Sequence, residues 1–502
     1  MKNNLIESLK KQLIEIAHLG TALSLLHWDK EVNIASKSIN SRSATTAYLA
    51  SLIHNKFIAI NSDNLLDKLK QQLDSDKLND QDAVIVSETW RSFEREKKLP
   101  ESFVHQLAET TSKAQHVWAE ARKQNKFSLF KPWLTKIVEL KRQEAKLIGY
   151  SGSPYDALLD TYEPGMTTEN ISIILNDLKK FLIPFIKKIA SSGIVTDQNI
   201  TKGLFSADKQ LSFNKLIAKK MGFNFEAGRI DQSTHPFTIT MHPEDVRFTT
   251  RYRENDILYS VGSTIHETGH ALYEQGLPVE HFGTPLAESI SHGIHESQSR
   301  MWENMIGKSK SFWKYFYPVL QKEFPEPFKK ISLNDFYKVI NIVKPSLIRT
   351  EADEVTYNLH IIIRFELEKA LIEGSLEVND LPSAWKTKVK EYLGIDVPTD
   401  TLGVLQDVHW SGGSIGYFPT YALGNLYAAQ FYSVMSKKIP SLQNKISTGN
   451  FSPIKTWLNK NIHAHGKTYK SKDILIKVTG EPLNSRYFCD YLEKKYKSMY
   501  KL

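Results

Sequence analysis

The sequence predicts a mainly α-helical fold: one large helical body with a small β-hairpin or sheet set into it. Three observations predict it. The 502 residues include only 24 glycines and 19 prolines, few chain-reversing residues for such a length. Apolar residues recur every three or four positions through most of residues 1–230, the spacing of helices that each bury one face. Alternation with a period of two, the mark of a half-buried strand, is confined to a short region after His235.

The elements follow in order. Leu5, Leu9, Leu13 and Ile16 mark the first helix, and Leu65, Leu66, Leu69 and Leu73 mark another behind a Ser62-Asp63 cap. Val86, Trp90 and Phe93 continue until Pro100 stops them, after which Phe103, Leu107, Ala114, Val117 and Ala121 resume the stripe. Leu134, Ile137 and Lys141 are read as a helix that starts after Pro132. Phe237, Ile239 and Met241 then alternate with threonines, His242-Pro243-Glu244-Asp245 turns the chain, and Val246 to Tyr252 returns as a strand. A helix resumes behind Asn255-Asp256 with Ile257, Val261, Ile265 and Leu272 on its stripe, and Gly276-Leu277-Pro278 ends it. Thr284-Pro285 reads as the cap and first-turn proline of a helix reaching about Gly307. No linker, repeat or low-complexity run divides the chain, so residues 1–502 are expected to form a single domain.

Composition narrows the class. Hydrophobic residues make up 41% and charged residues 24%, a balance that excludes a disordered chain. The lone cysteine, Cys489, excludes an intramolecular disulfide and cysteine-held zinc or iron–sulfur centres. Residues Met1 to Lys10 carry Glu7 where a signal peptide needs an apolar run, and no stretch is long and apolar enough to span a membrane. The expectation is a cytoplasmic protein with no membrane partner. The net charge is +9, but the basic residues are spread and their densest run is Lys494-Lys495-Tyr496-Lys497. This is read as a lysine-rich solvated surface, with no nucleic acid as partner.

The chemistry concentrates at His266-Glu267-Thr268-Gly269-His270. Residues four apart share one face of a helix, so both imidazoles can bind one zinc ion. The glutamate beside the first histidine can reach a water held there and take its proton. A catalytic zinc needs a third protein ligand, and the next predicted helix offers Glu288, His292 and Glu296; spacing alone does not choose among them. The metzincin extension is absent, since its glycine would fall on Tyr273.

Further motifs frame this pentad. They are His235-Pro236-Phe237, Asp245-Val246-Arg247-Phe248-Thr249, His295-Glu296-Ser297-Gln298, Ile348-Arg349-Thr350-Glu351-Ala352-Asp353, and Gly403 to Trp410 with Gln406-Asp407 and His409 inside it. In content and order they resemble the HPF, DxRxT, HES/GQ, IRxxAD and GxxQDxHW motifs of the carboxypeptidase Taq family of zinc metallocarboxypeptidases. One departure is Ile34-Ala35 after Trp28-Asp29, where that family's Met-Pro is expected.

The resemblance implies a helical body around a deep active-site groove, one zinc ion per chain with cobalt able to replace it, and a homodimer. It places the metal ligands at His266, His270 and Glu296, and the general base at Glu267. It implies that His409 and Tyr421 donate hydrogen bonds to the tetrahedral oxyanion, with Tyr417 the rival tyrosine. Arg349 is the candidate for the substrate's C-terminal carboxylate; Arg247 competes but sits in a predicted strand, where Asp245 or Asp353 could hold it structurally. His235 is a candidate to meet a substrate carbonyl, because extended peptides bind along strand edges. The implied activity is hydrolysis of the last peptide bond of peptides with a free C-terminus, with broad specificity. The rivals are a zinc oligopeptidase of related fold and a non-enzymatic basic scaffold.

Overall fold

Leu9, Leu66, Leu69 and Val86, from the first helical stripes, are fully buried against one another. They come from the helices Asn4–Val32, Leu65–Asp74 and Asp80–Lys97, and with Ile6, Ile60 and Phe93 they make a small core of their own. A much larger core runs from Ala114 to Tyr500 and holds the rest of the chain together. The computed structural model describes residues 4–502; the first three residues of the segment tested for a signal peptide lie outside them. Two central helices, Tyr357–Glu373 and Pro419–Lys438, are buried on nearly every face, as helices in the middle of a large body are. Among the described residues no helix is long and apolar enough to cross a membrane.

Local readings are corrected at four places. Asn61, not Ser62-Asp63, caps the helix at Leu65: its side-chain oxygen accepts from the Leu66 and Asp67 amides. The helix with Pro132 starts before it, at Phe127, because burying Phe127 and Phe130 outweighs the one amide that proline lacks. The hairpin is part of a three-stranded sheet: β1 (Gly228–Gln232) lies parallel to β3 (Asp245–Thr250), and β2 (Thr238–His242) lies antiparallel on its other side. β1 has a single buried residue, Ile230, so backbone pairing makes it a strand where periodicity shows none. The first helix lies over the outer edge of β2, with Thr21 Oγ1 donating to the Met241 carbonyl at 2.7 Å, which leaves less of that edge open to a stray strand.

The fourth correction bears on the site. Thr284-Pro285 opens only a short turn, Pro285–Ala287, and the chain then runs extended. The helix begins at His292, capped by Ser291 Oγ, which accepts from the Ile294 amide at 3.0 Å. Backbone amides before and at its start are bound elsewhere: Ile290 donates to the Tyr273 hydroxyl, His292 to the Tyr162 carbonyl and Gly293 to the Glu163 carboxylate. From Arg300 the helix passes into a wider π-helical turn, Met301–Gly307; such turns recur at functional sites.

Candidate metal centre and substrate groove

The pentad lies in the helix Ile257–Glu274, capped by Asp256, whose carboxylate accepts from the Tyr259 amide. Glu296 lies in the following helix, His292–Arg300. These helices approach closely because the residue between the two ligand turns is Gly269: a Cβ there would lie 2.7 Å from the Ser299 Cα. From the far side Gly424, in the central helix Pro419–Lys438, leaves room for Glu296; its Cβ would lie 2.4 Å from the Glu296 Cγ. Packing of three helices therefore fixes where this carboxylate can be.

His266, His270 and Glu296 bring one possible ligand atom each to within 4.8 Å of one another. Nε2 of His266 and of His270 lie 3.6 and 3.3 Å from the same oxygen, Glu296 Oε2. The outer atoms of His266 and Glu296 are held by hydrogen bonds, as a metal site requires, whereas His270 Nδ1 is buried without a partner. His266 Nδ1 meets Glu303 at 2.8 Å, which leaves Nε2 free to face inward. Glu296 Oε1 accepts from Arg300 Nε at 2.6 Å. His270 is stacked on His295, ring centroids 4.4 Å apart, and His295 in turn meets Glu274 at 2.8 Å.

The electrostatics ask for a cation. Burial works to raise the Glu296 carboxyl, but Arg300 and the two histidines outweigh it and hold it well below its usual range. Glu303 is likewise held at about 2, against burial, chiefly by Arg300 and His266. Burial pushes His270 down to about 3, with His295 assisting. Burial would also lower His266, yet the flanking Glu296 and Glu303 raise it overall. Two carboxylates thus draw positive charge to a point where two imidazole nitrogens converge. That donor set fits a zinc-type ion.

Glu267 is buried at the base of the same cavity, and burial raises its carboxyl. Thr238, the first residue of β2, donates to Glu267 Oε2 at 2.7 Å. The cavity measures about 710 Å³, and its walls include Phe237, Thr238, Arg349, Tyr357, Tyr417 and Tyr421.

Arg349 is buried beside the groove. Its Nε and Nη2 donate to Asp407 Oδ1 at 3.0 and 2.8 Å, and Nη1 donates to the Tyr357 hydroxyl at 3.1 Å. Asp407 also receives Arg364, a residue the motifs did not flag. His409 Nε2 lies 3.2 Å from the Tyr421 hydroxyl. Burial, then the positive field of Arg349 and Arg364, pushes His409 down to about 4, so its ring is neutral at pH 7. Tyr417 stands 5.3 Å from Tyr421, centroid to centroid, and burial pushes its hydroxyl up to about 12.

The other sequence candidates are engaged in different contacts. Arg247 makes two bonds to Asp245, both 2.8 Å, and its guanidinium sits 4.7 Å from the Trp28 ring centre, away from the groove lining. His235 is exposed, and its backbone carbonyl accepts from Ser233; its neighbours Pro236 and Phe237 line the groove instead. Glu288 pairs with Lys467. His292 lines the groove but packs edge-on to Tyr162 and Tyr417.

Sequence reasoning missed Thr238, Glu303, Arg300 and Glu368. Arg300 and Glu303 follow Glu296 at i+4 and i+7 on one helical face, a spacing that could have exposed them. Glu368 had no local signal. It is fully buried, accepts from Tyr155, Trp410 Nε1 and the Gly416 amide, and so pins both ends of the loop between His409 and Tyr417.

A helix-borne His-Glu-x-x-His, joined by a carboxylate from the next helix on the floor of a groove, defines the site of a metallopeptidase. The chain belongs to the carboxypeptidase Taq (M32) metallopeptidase family, whose model matches residues 8–496. Carboxypeptidase 1 of Bacillus subtilis is 41% identical over 490 residues, covering 98% of this chain and 97% of its own. Thermostable carboxypeptidase 1 of Thermus thermophilus is 41% identical over 496 residues, 97% of each chain. The crystal structure of the M32 carboxypeptidase from Deinococcus radiodurans superposes with a TM-score of 0.96 at 34% identity, covering all of both chains. This chain is accordingly a metallocarboxypeptidase, a hydrolase of mainly helical fold.

Proposed function

We propose that His266, His270 and Glu296 hold one zinc ion and that the enzyme releases single residues of varied kind from peptide C-termini. When bound there, zinc supplies Lewis-acid polarisation and makes water more acidic. Glu267, held by Thr238, takes a proton from the attacking water and returns it to the leaving amine. Tyr421, with neutral His409 at 3.2 Å, donates to the oxygen on which negative charge develops, and Tyr417 is the rival for that role. Arg349 receives the peptide's terminal carboxylate. The groove mixes apolar walls such as Leu258 and Phe237 with polar ones such as Ser263 and Lys308, which suits varied terminal side chains. Homodimerisation rests on the family resemblance, and sedimentation equilibrium tests it.

The observation that carries this reading is the convergence of two imidazoles and one carboxylate beside a buried glutamate, in a groove that also holds a buried arginine. Glu267→Gln keeps the shape and removes the base. It should retain metal and fold while kcat falls by roughly 10²–10⁴. Retention of more than about a tenth of kcat would remove Glu267 from that role.

A further inference from the structure

Lys494 and Lys495, in the densest basic run of the sequence, line a cavity of about 730 Å³, Lys494 from the solvent-exposed surface. We propose that this cavity binds a small phosphorylated anion, a phosphate or bisphosphate ester. It lies between residues 305–311, the helix Leu333–Val339 and the helix Arg486–Tyr500. Its volume is that of an ordinary small-molecule site.

The charge is one-sided. Lys310, Lys338, Lys494, Lys495 and Lys501 line the cavity, and no carboxylate does. Two of the five are balanced from behind: Lys495 by Glu354 beneath it, and Lys338 by Asp335 at 3.7 Å. Lys310, Lys494 and Lys501 have no acidic partner within 4.0 Å among the described residues. Lys310 donates only to the side-chain oxygen of Asn334, at 3.2 Å.

Three unmatched ammonium groups around one hollow repel each other, and a multiply charged anion relieves that repulsion. A phosphate monoester brings nearly two charges at neutral pH and accepts from donors in any direction. Lysine is a point charge suited to this, whereas carboxylate recognition favours the arginine fork, and no arginine lines the cavity. The serine-capped start of the helix Lys310–Glu323 adds its dipole from one side. Tyr337, Tyr432 and Tyr491 give flat apolar walls for a carbon skeleton. The cavity is separate from the peptide groove. The chain crosses between them at Lys308, which lines the groove, and Ser309, which lines the cavity.

Titration calorimetry of the metal-loaded enzyme with fructose 1,6-bisphosphate tests this. The wild type should bind one equivalent per chain, and inorganic phosphate should compete. The exposed-lysine variant Lys310→Gln/Lys494→Gln should bind about tenfold more weakly or worse, given the strength of hydrogen bonds between charged groups, while its peptide hydrolysis is unchanged. The control Lys123→Gln/Lys126→Gln, at exposed positions outside the cavity, should bind like the wild type. Absence of saturable binding to the wild type overturns the proposal, as does equal weakening in the two double variants, which would mark diffuse surface charge.

Discussion

Removing Arg349 should weaken hydrolysis of free-acid peptides far more than hydrolysis of the same peptides amidated at the C-terminus. A guanidinium has five N–H donors. Arg349 spends two on Asp407 and one on the Tyr357 hydroxyl, which leaves one N–H on each terminal nitrogen, a fork that matches a carboxylate. Under the proposed function, Arg349→Ala would delete both bonds to the substrate carboxylate, worth roughly 2–5 kcal/mol together for a buried charged pair. That is a loss of about 30-fold to several thousand-fold in kcat/KM. Asp407 is not orphaned by the change, since Arg364 donates to its other oxygen from Nε at 2.7 Å, so the fold should survive. Arg349→Lys keeps the charge but not the fork and should fall between the two. Four rates, from two proteins and two peptides, complete the cycle. Equal losses on the acid and the amide would make Arg349 structural and refute its role as carboxylate receptor.

Three further outcomes follow from the geometry. Glu296→Ala should lose metal on dialysis, whereas Glu288→Ala, whose carboxylate pairs with Lys467, should keep it; metal analysis showing the reverse would move the third ligand. Gly424→Ala should lower both melting temperature and metal affinity, since its Cβ would meet the Glu296 side chain at 2.4 Å; overpacking costs about 1–3 kcal/mol, and unchanged metal affinity would mean that Glu296 can shift freely. Acid should destabilise the fold through His360 and His463, which burial pushes from 6.5 down to about 3. The unfolded chain takes up protons near pH 6.5 that the folded chain refuses, so this stability is full above that pH and drains as pH falls toward 3. Each histidine costs roughly 2–3 kcal/mol by pH 4.5; His463→Gln should therefore lose less stability between pH 7.5 and 4.5 than the wild type, and an equal loss would contradict the assignment.

The legible part of the sequence was whatever has a local period or a motif. Leucine stripes revealed helices because a buried face must repeat every 3.6 residues, and the pentad placed two histidines on one helix face for the same reason. β1 stayed hidden because pairing with β3, not its own side chains, makes it a strand. The break between Pro285 and His292 stayed hidden because the bonds that replace its helix come from Tyr162, Glu163 and Tyr273, two of them more than a hundred residues away. The supports of the site were hidden for the same reason: Thr238 reaches Glu267 from β2, and Glu368 reaches the His409 loop from a central helix.

The motif residues around Arg349 acquire a common meaning once their charges are placed together. Arg349 and Arg364 share one aspartate, Asp407, so two buried cations face one anion. Burial pushes Glu368, which feels the field of Arg364, up to about 7, which weakens it as a counter-charge. The cluster therefore holds two buried cations against one full anion; Asp407 outweighs burial at Arg349, while Arg364 bears the cost of burial, and a further anion would offset it. The same field helps to keep His409 neutral, so its ring stays available to Tyr421 and does not become a further cation in an already positive site. Under the proposed function, a peptide's terminal carboxylate docked at Arg349 would meet both demands: it would neutralise the excess and set the last peptide bond beside Glu267 and Tyr421. An internal segment of peptide brings no such charge. On this reading, preference for chain ends is an electrostatic property of the Arg349–Asp407–Arg364 cluster as well as of groove shape.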